Sequence, residues 1–97
     1  MLWHKGMVVD KRAAVVKDWT LDYSDWLDTG ETIADATAVP ASGLTVQATN
    51  IVNTSTGVQI WVSGGTAGES YEITITVTTD SSPIARVDEK ILVVDIA

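Results

Sequence analysis

The stretch Tyr71-Glu72-Ile73-Thr74-Ile75-Thr76-Val77-Thr78 decides the fold of this 97-residue chain. Apolar side chains occupy every second position from Tyr71 to Val77, and polar ones stand between them. Successive side chains of an extended strand point to opposite faces, so this alternation predicts a strand with one buried and one exposed face.

The sequence on both sides of this strand carries the same signal. Alternation and β-branched runs predict further strands at residues 19–23, 32–39, 44–49, 58–62 and 86–96. Val, Thr and Ile together account for 34 of the 97 residues, and such side chains favour strands. The run Ile91–Val94 breaks the alternation, which predicts burial on both faces of the last strand. We therefore expect an all-β, immunoglobulin-like β-sandwich of six to seven antiparallel strands with an N-terminal arm.

A glycine-rich corner precedes the deciding strand. Gly64, Gly65 and Gly68 form a tight connection, and Tyr71 follows it. In many sandwiches a tyrosine at this place directs its hydroxyl to the upstream backbone and fixes the crossover between sheets. We expect Tyr71 to do so, against the alternative of an ordinary core tyrosine.

The N-terminal segment differs from the rest in charge. Residues 1–17 carry four basic side chains and one acid, whereas residues 18–97 carry two basic and twelve acidic ones. Residues 1–10 have no clear period, so a flexible arm, an edge strand and a short helix all stay open. We divide the chain into an arm at residues 1–12 and a sandwich at residues 13–97. The arm would lie against an acidic neighbour, or its lysines would protect a sheet edge.

Composition narrows the classes of function. The chain has no cysteine, no apolar run of membrane-spanning length and no signal peptide at its start, so we expect a soluble protein assembled inside the cell. A net charge of −7 argues against nucleic-acid binding, because the acidic body would repel phosphates.

The sequence offers no recognisable catalytic or cofactor site. His4 is the sole histidine and has no evident partner for acid–base chemistry. The acidic residues between Asp18 and Asp28 lack the spacing of a calcium loop, so we interpret them as a solvated surface. The glycines at residues 64–68 lack the Lys-Ser/Thr ending of a phosphate loop. We therefore expect no enzyme, no metal and no cofactor.

Four tryptophans suggest binding surfaces. Trp61 is out of phase with the apolar positions of its strand and so should face outward, whereas Trp19 fits an inward position. Exposed tryptophans anchor protein interfaces or stack on sugar rings. The residues that we expect at an interface are Leu2, Trp3, Lys5, Lys11, Arg12, Trp26 and Trp61.

Several segments of the sequence form a specific pattern when they are taken together in their order. The residues that carry the resemblance are Lys17–Leu27, Thr32-Ile33-Ala34, Gly43–Val46, the string Trp61-Val62-Ser63-Gly64-Gly65-Thr66-Ala67-Gly68, and Tyr71. In their order they are similar to the phage fiber-tail adaptor family, small virion proteins of tailed bacteriophages, over roughly residues 11–95. The chain departs from the family pattern at Lys11-Arg12-Ala13 and near Ala38, which affects the expected arm and the local packing.

The resemblance implies a structural virion protein, made in the host bacterial cytoplasm, that joins tail or head components to fibres. Its partners would be other phage structural proteins of the tail, connector, fibre or capsid, together with further copies of itself, and neither nucleic acid nor membrane. Two alternatives stay open: a capsid decoration protein, and a carbohydrate-binding module that recognises host glycans through outward tryptophans.

Overall fold

The computed structural model describes residues 6–97, and over this range the chain forms seven β-strands and no helix. The strands are β1 (Gly6–Lys11), β2 (Lys17–Asp22), β3 (Ile33–Pro40), β4 (Leu44–Val52), β5 (Gly57–Gly64), β6 (Ser70–Thr79) and β7 (Val87–Ile96). Within that same range there is no helix long and apolar enough to cross a membrane. The prediction of an all-β sandwich is confirmed.

The strands of residues 6–97 form two sheets. Sheet A has the order β1-β7-β6-β3, and sheet B has the order β2-β5-β4. Lettered A to G along the chain, strands G-F-C and B-E-D are neighbours as in immunoglobulin-like sandwiches, while the first strand pairs with the last. All neighbouring pairs are antiparallel except β1 and β7, which run parallel.

The core lies between the inner faces of the two sheets. Ile73, Ile75 and Val77 of β6 and Val58 and Ile60 of β5 are fully buried within it. Burying an aliphatic side chain of this size contributes about 1.5–3 kcal/mol. The alternation that predicted β6 therefore marks the residues that hold the sheets together.

The last strand differs from its prediction. Leu92 and Val94 on the inner face are fully buried, whereas Ile91 and Val93 on the outer face are half-buried. The reason is that β7 lies inside sheet A between β1 and β6, which shield its outer side chains only at their flanks. The predicted burial on both faces is therefore wrong, because only the inner face of β7 is fully buried.

Gly6–Lys11, which the sequence placed in an arm, is an edge strand of sheet A. Its register pairs Val8 with Val93 and Lys11 with Ile96. Of the three conformations left open for residues 1–10, the edge strand is the one found for the described residues 6–10. The first five residues of the arm predicted at residues 1–12 fall outside the described part of the chain.

The strands end, and their connections lie, at two opposite ends of the sandwich. One end, here called the corner end, holds Lys11, Lys17, Gly64, Tyr71 and Ile96. The opposite end, here called the hairpin end, holds residues 23–32, 53–56 and 80–86, which connect the strands there. The polar contacts described below concentrate at these two ends.

Candidate docking surfaces

The glycines and the tyrosine singled out in the sequence lie together at the corner end. The backbone N–H of Thr66 donates a hydrogen bond to the hydroxyl of Tyr71 at 2.9 Å. Gly64, Gly65 and Gly68 have φ of +85°, +95° and +87°, in the left-handed region that favours glycine. A Cβ at Gly65 would lie 2.7 Å from Cδ1 of Ile96, so the corner packs closely on the end of β7.

Lys11 connects the two sheets at the corner end. Its side chain is buried, and its ammonium donates to the carbonyl oxygens of Gly64 at 2.7 Å and of Arg12 at 2.8 Å. A third carbonyl, that of Ala13, lies at 3.4 Å. We expected Lys11 at an interface, but burial leaves its charge out of a partner's reach. The sequence does indicate this burial. Lys11 stands two positions after Val9, and side chains two positions apart on a strand lie on the same face.

Arg12 lies exposed beside this lysine. It lines an open depression of about 470 Å³ together with Val15, Lys17 and the chain end at Ala97. Leu2, Trp3 and Lys5, the other N-terminal interface candidates, fall outside the described residues. The exposed basic groups at this end are therefore Arg12 and Lys17, within the part of the chain that the structure describes.

Trp26 belongs to a charged cluster at the hairpin end. The guanidinium of Arg86 lies 4.4 Å from the centre of the Trp26 ring and donates to the Trp26 carbonyl oxygen at 3.0 Å. The same guanidinium binds both carboxylate oxygens of Glu31. Trp26 is half-buried and packs against the core, so its ring takes part in holding the fold.

The charges of this cluster shift each other's titration. The Arg86 guanidinium, helped by the backbone N–H of Asp28, holds the pKa of Glu31 well below its ordinary value. The same hydrogen bonds from Arg86 to Glu31 raise the pKa of Arg86. Nearby, the backbone N–H and hydroxyl of Thr32 lower the pKa of Asp80. The loop between β2 and β3 is thereby fastened to the connection between β6 and β7.

A second charged group lies inside the sandwich. Lys90 is buried on the inner face of sheet A, with its ammonium 3.5 Å from Asp88 and 5.6 Å from the centre of the Tyr23 ring. Burial, and secondarily the charge of Asp88, raises the pKa of Tyr23. Sequence reasoning missed this lysine, although it shares the phase of Leu92 and Val94.

Trp61 lies on the outer face of sheet B. It is 37 % exposed, while its strand neighbours Ile60 and Val62 are fully buried. Asp18 on β2 is its register partner, and this carboxylate accepts a hydrogen bond from the Gln59 amide at 2.9 Å. The Trp61 indole is thus exposed on this face, beside the Asp18 carboxylate and the Gln59 amide.

The outer face of sheet A is rich in β-branched side chains. The registers place Val8 beside Val93, Ile91 beside Thr74, and Thr74 beside Val39. This set is the valine–threonine face, and its members are Val8, Thr37, Val39, Thr74, Thr76, Thr78, Val87, Ile91 and Val93. Cross-strand neighbours on one face lie about 4.5–5.5 Å apart, so these side chains form a continuous surface across all four strands.

No group of three or more His, Cys, Asp and Glu side chains within residues 6–97 is placed to hold a metal ion. The acids between Asp18 and Asp28 make other contacts. Asp22 accepts a hydrogen bond from the backbone N–H of Ser24, which lowers its pKa, and Asp28 lies 3.9 Å from Arg86. His4 falls outside the described part of the chain.

These features define a class of protein: a small β-sandwich domain fastened at both ends, with two open outer faces. Comparison with known families is more specific, because the family model described as podophage GP4 fiber-tail adaptor protein gp77 matches residues 11–94. The chain belongs to this family, whose members are structural adaptor proteins of the phage particle. No curated protein and no solved structure matches the chain significantly.

Proposed function

We propose that this chain is a virion subunit that joins the tail of a podophage to its fibres by protein–protein docking. The observation that carries the proposal is the extent of the family match. Residues 11–94 run from the last residue of β1 almost to the end of β7, so the matched unit contains β2 to β6 and most of β7, that is, most of the sandwich. The adaptor role is thus assigned to the folded domain, whose outer surfaces would meet the partners.

The structure supports docking by a surface that is already in place before the partner arrives. Lys11 at the corner end, and Arg86 with Glu31 at the hairpin end, link segments more than 50 residues apart in sequence. A surface that loses little conformational freedom on association retains more of its contact energy as affinity. Rigid ends therefore suit a protein that must connect two components in a fixed orientation.

Strand addition at β1 is one way in which we expect the adaptor to dock. Of the four edge strands β1, β2, β3 and β4, the last two have register shifts, after Ile33 in β3 and after Val46 in β4, and β3 ends at Pro40. Bulges and prolines discourage pairing with another chain. The pairing of β1 with β7 is regular over all six residues, and so is that of β2 with β5, so both of these edges have unpaired main-chain groups on their other side for a partner strand.

We also propose that several copies act together in the particle and that synthesis takes place in the bacterial cytoplasm. Sedimentation of the purified chain would test self-association. A mass equal to one chain at micromolar concentration would confine any oligomer to the assembled particle, while a defined larger mass would place it before assembly.

Electron cryomicroscopy of the intact particle tests the proposed function. We expect density for the sandwich between the tail and the fibres. Density on the capsid surface would contradict the adaptor role and favour the alternative of a decoration protein. A matched particle that lacks this chain should lose that density together with its fibres.

One observation favours a second candidate, glycan binding by the outer face of sheet B. Trp61 offers a ring for stacking, and Asp18 and Gln59 offer hydrogen-bonding groups beside it. A glycan array separates the two functions. Binding that is lost in Trp61→Ala but kept in Trp61→Phe would support sugar recognition, and an array without signal would count against it.

A further inference from the structure

The valine–threonine face is exposed where monomeric sheets usually carry polar side chains. Val8, Val39 and Val87 have exposed fractions of 66, 63 and 63 %. They belong to three different strands, and half-buried Ile91 and Val93 connect Val8 with the centre of the face. Val8, Val93 and Ile91 adjoin one another, Thr74 lies between Ile91 and Val39, and Glu89 lies between Ile91 and Val87. Exposed apolar surface marks sites where proteins associate.

Acidic residues surround this apolar centre. Asp10 and Asp95 are register partners beyond Val8 and Val93, and Glu72 is the partner of Val93 on β6. Glu89 and Asp35 stand on the same face towards the hairpin end, as partners of Thr76 and Thr78. Among residues 6–97, the outer positions of these four strands carry five carboxylates and no Lys or Arg.

This charge pattern selects the partner. Two copies that met face to face would bring five carboxylates against five, and like charges across an interface oppose association. Nucleic acid and anionic membrane surfaces would be repelled in the same way. A basic protein surface would instead be attracted, because opposite potentials steer the encounter and fix the orientation.

We propose that the valine–threonine face docks a different phage protein, through an apolar patch rimmed by lysine or arginine. The β-branched centre supplies the contact area, and the five carboxylates pair with the basic rim. This inference rests on the proposed adaptor function, for which it names the docking face and the chemistry of the partner.

Binding to tail particles that lack this protein tests the face. The variants are Glu72→Lys and Val39→Asp, and the matched control is Asp25→Lys, an exposed carboxylate in the loop between β2 and β3. Circular dichroism and the thermal midpoint of each variant establish that it is folded. Sedimentation then measures how much of each variant the particles bind.

We expect each face variant to bind at least about tenfold more weakly than the wild type, and the control to bind normally. Raising NaCl from about 50 to about 300 mM should weaken the wild type more than Glu72→Lys, because screening removes the paired charges. Equal binding by wild type and both face variants would overturn the docking face while leaving the adaptor function intact. A wild-type protein that does not bind these particles at all would overturn both.

Carbodiimide cross-linking identifies the occupant independently of any substitution. The reagent joins a carboxylate to an amine that lies next to it, and mass spectrometry of the peptides locates the bond. A bond from Glu72 or Glu89 to a lysine of another phage protein supports the proposal. A bond from these residues to Lys17 of a second copy would overturn it in favour of head-to-tail self-association.

Discussion

The ammonium of Lys11 lies 2.7 Å from the carbonyl oxygen of Gly64, a residue 53 positions away in the other sheet. This contact closes the corner end of the sandwich, because it joins the last residue of β1 to the last residue of β5. A buried lysine here acts as a hydrogen-bond donor for main-chain carbonyls and contributes to stability from within the fold.

We expect Lys11→Met to destabilise the protein by about 1–3 kcal/mol, because it leaves buried carbonyl oxygens without a donor. Urea unfolding of the purified chain measures the change. Lys17→Met is the matched control, since Lys17 is exposed, and it should stay within about 0.5 kcal/mol of the wild type. Equal effects of the two substitutions would contradict the role given to Lys11.

The glycines of the corner offer a comparison between strain and crowding. Gly65 and Gly68 both have positive φ, but a Cβ meets Ile96 at Gly65 and meets nothing within 4 Å at Gly68. Gly68→Ala should therefore lower the free energy of unfolding by about 1–2 kcal/mol, because alanine is disfavoured in the left-handed conformation. Gly65→Ala should cost about 1–3 kcal/mol more, because it also overpacks the buried end of β7. Thermal unfolding of both variants measures the difference, and a smaller loss for Gly65→Ala would show that Ile96 yields freely.

The pair of Arg86 and Glu31 predicts how stability depends on pH. The pKa of Glu31 in the fold lies below its ordinary value of 4.5, so folding favours the ionised form. The stabilisation is therefore complete above that value and is lost as the pH falls below it. Glu31→Gln should be less stable than the wild type near neutral pH, and the gap should narrow steadily below about pH 4.5.

Chemical denaturation at about pH 7, 4 and 3 measures this gap. Glu72→Gln, an exposed carboxylate on sheet A, serves as the control and should follow the wild-type curve. A constant difference between Glu31→Gln and the wild type at all three values would mean that the ion pair does not cause the pH dependence.

The turn between β4 and β5 stores conformational strain. Asn53, Thr54 and Ser55 have φ of 55°, 56° and 63°, and β-branched Thr is poorly suited to this region. The turn is held from outside, since the backbone N–H groups of Ile33 and Tyr23 donate to Ser55 and Thr56.

Thr54→Gly should relieve this strain and raise the stability by up to about 1 kcal/mol, although glycine gains freedom in the unfolded chain. The midpoint of thermal unfolding should rise accordingly. Thr78→Gly within β6 should lower it, because an extended strand gives glycine no such advantage. A fall in the midpoint for Thr54→Gly would contradict the inference that the backbone at Thr54 is strained.

Local sequence patterns were sufficient for most of the sheet. The alternation from Tyr71 to Val77 predicted β6 and its buried face, and the out-of-phase position of Trp61 predicted the exposed indole. Both depend only on the two-residue period of a strand, which neighbouring residues determine.

Contacts between distant segments could not be predicted in the same way. The pairing of β1 with β7 joins the two extremes of the chain, and nothing within Gly6–Lys11 specifies its partner. Arg86 and Glu31 are 55 residues apart, so their ion pair follows from the fold rather than from a motif. Lys11 and Lys90 occupy positions that alternate in step with the buried residues of their strands. Sequence reasoning nevertheless assigns a lysine to the solvent, because its charge is costly to bury.

The parallel arrangement of β1 and β7 has a mechanical consequence. Chain enters β1 at the hairpin end and leaves β7 at the corner end, so tension applied through these two points runs along the paired strands. Such a pull loads the hydrogen bonds of all six residue pairs in shear at once, whereas a hairpin pulled from its open end would unzip one bond at a time. A domain built this way resists stretching along its strands.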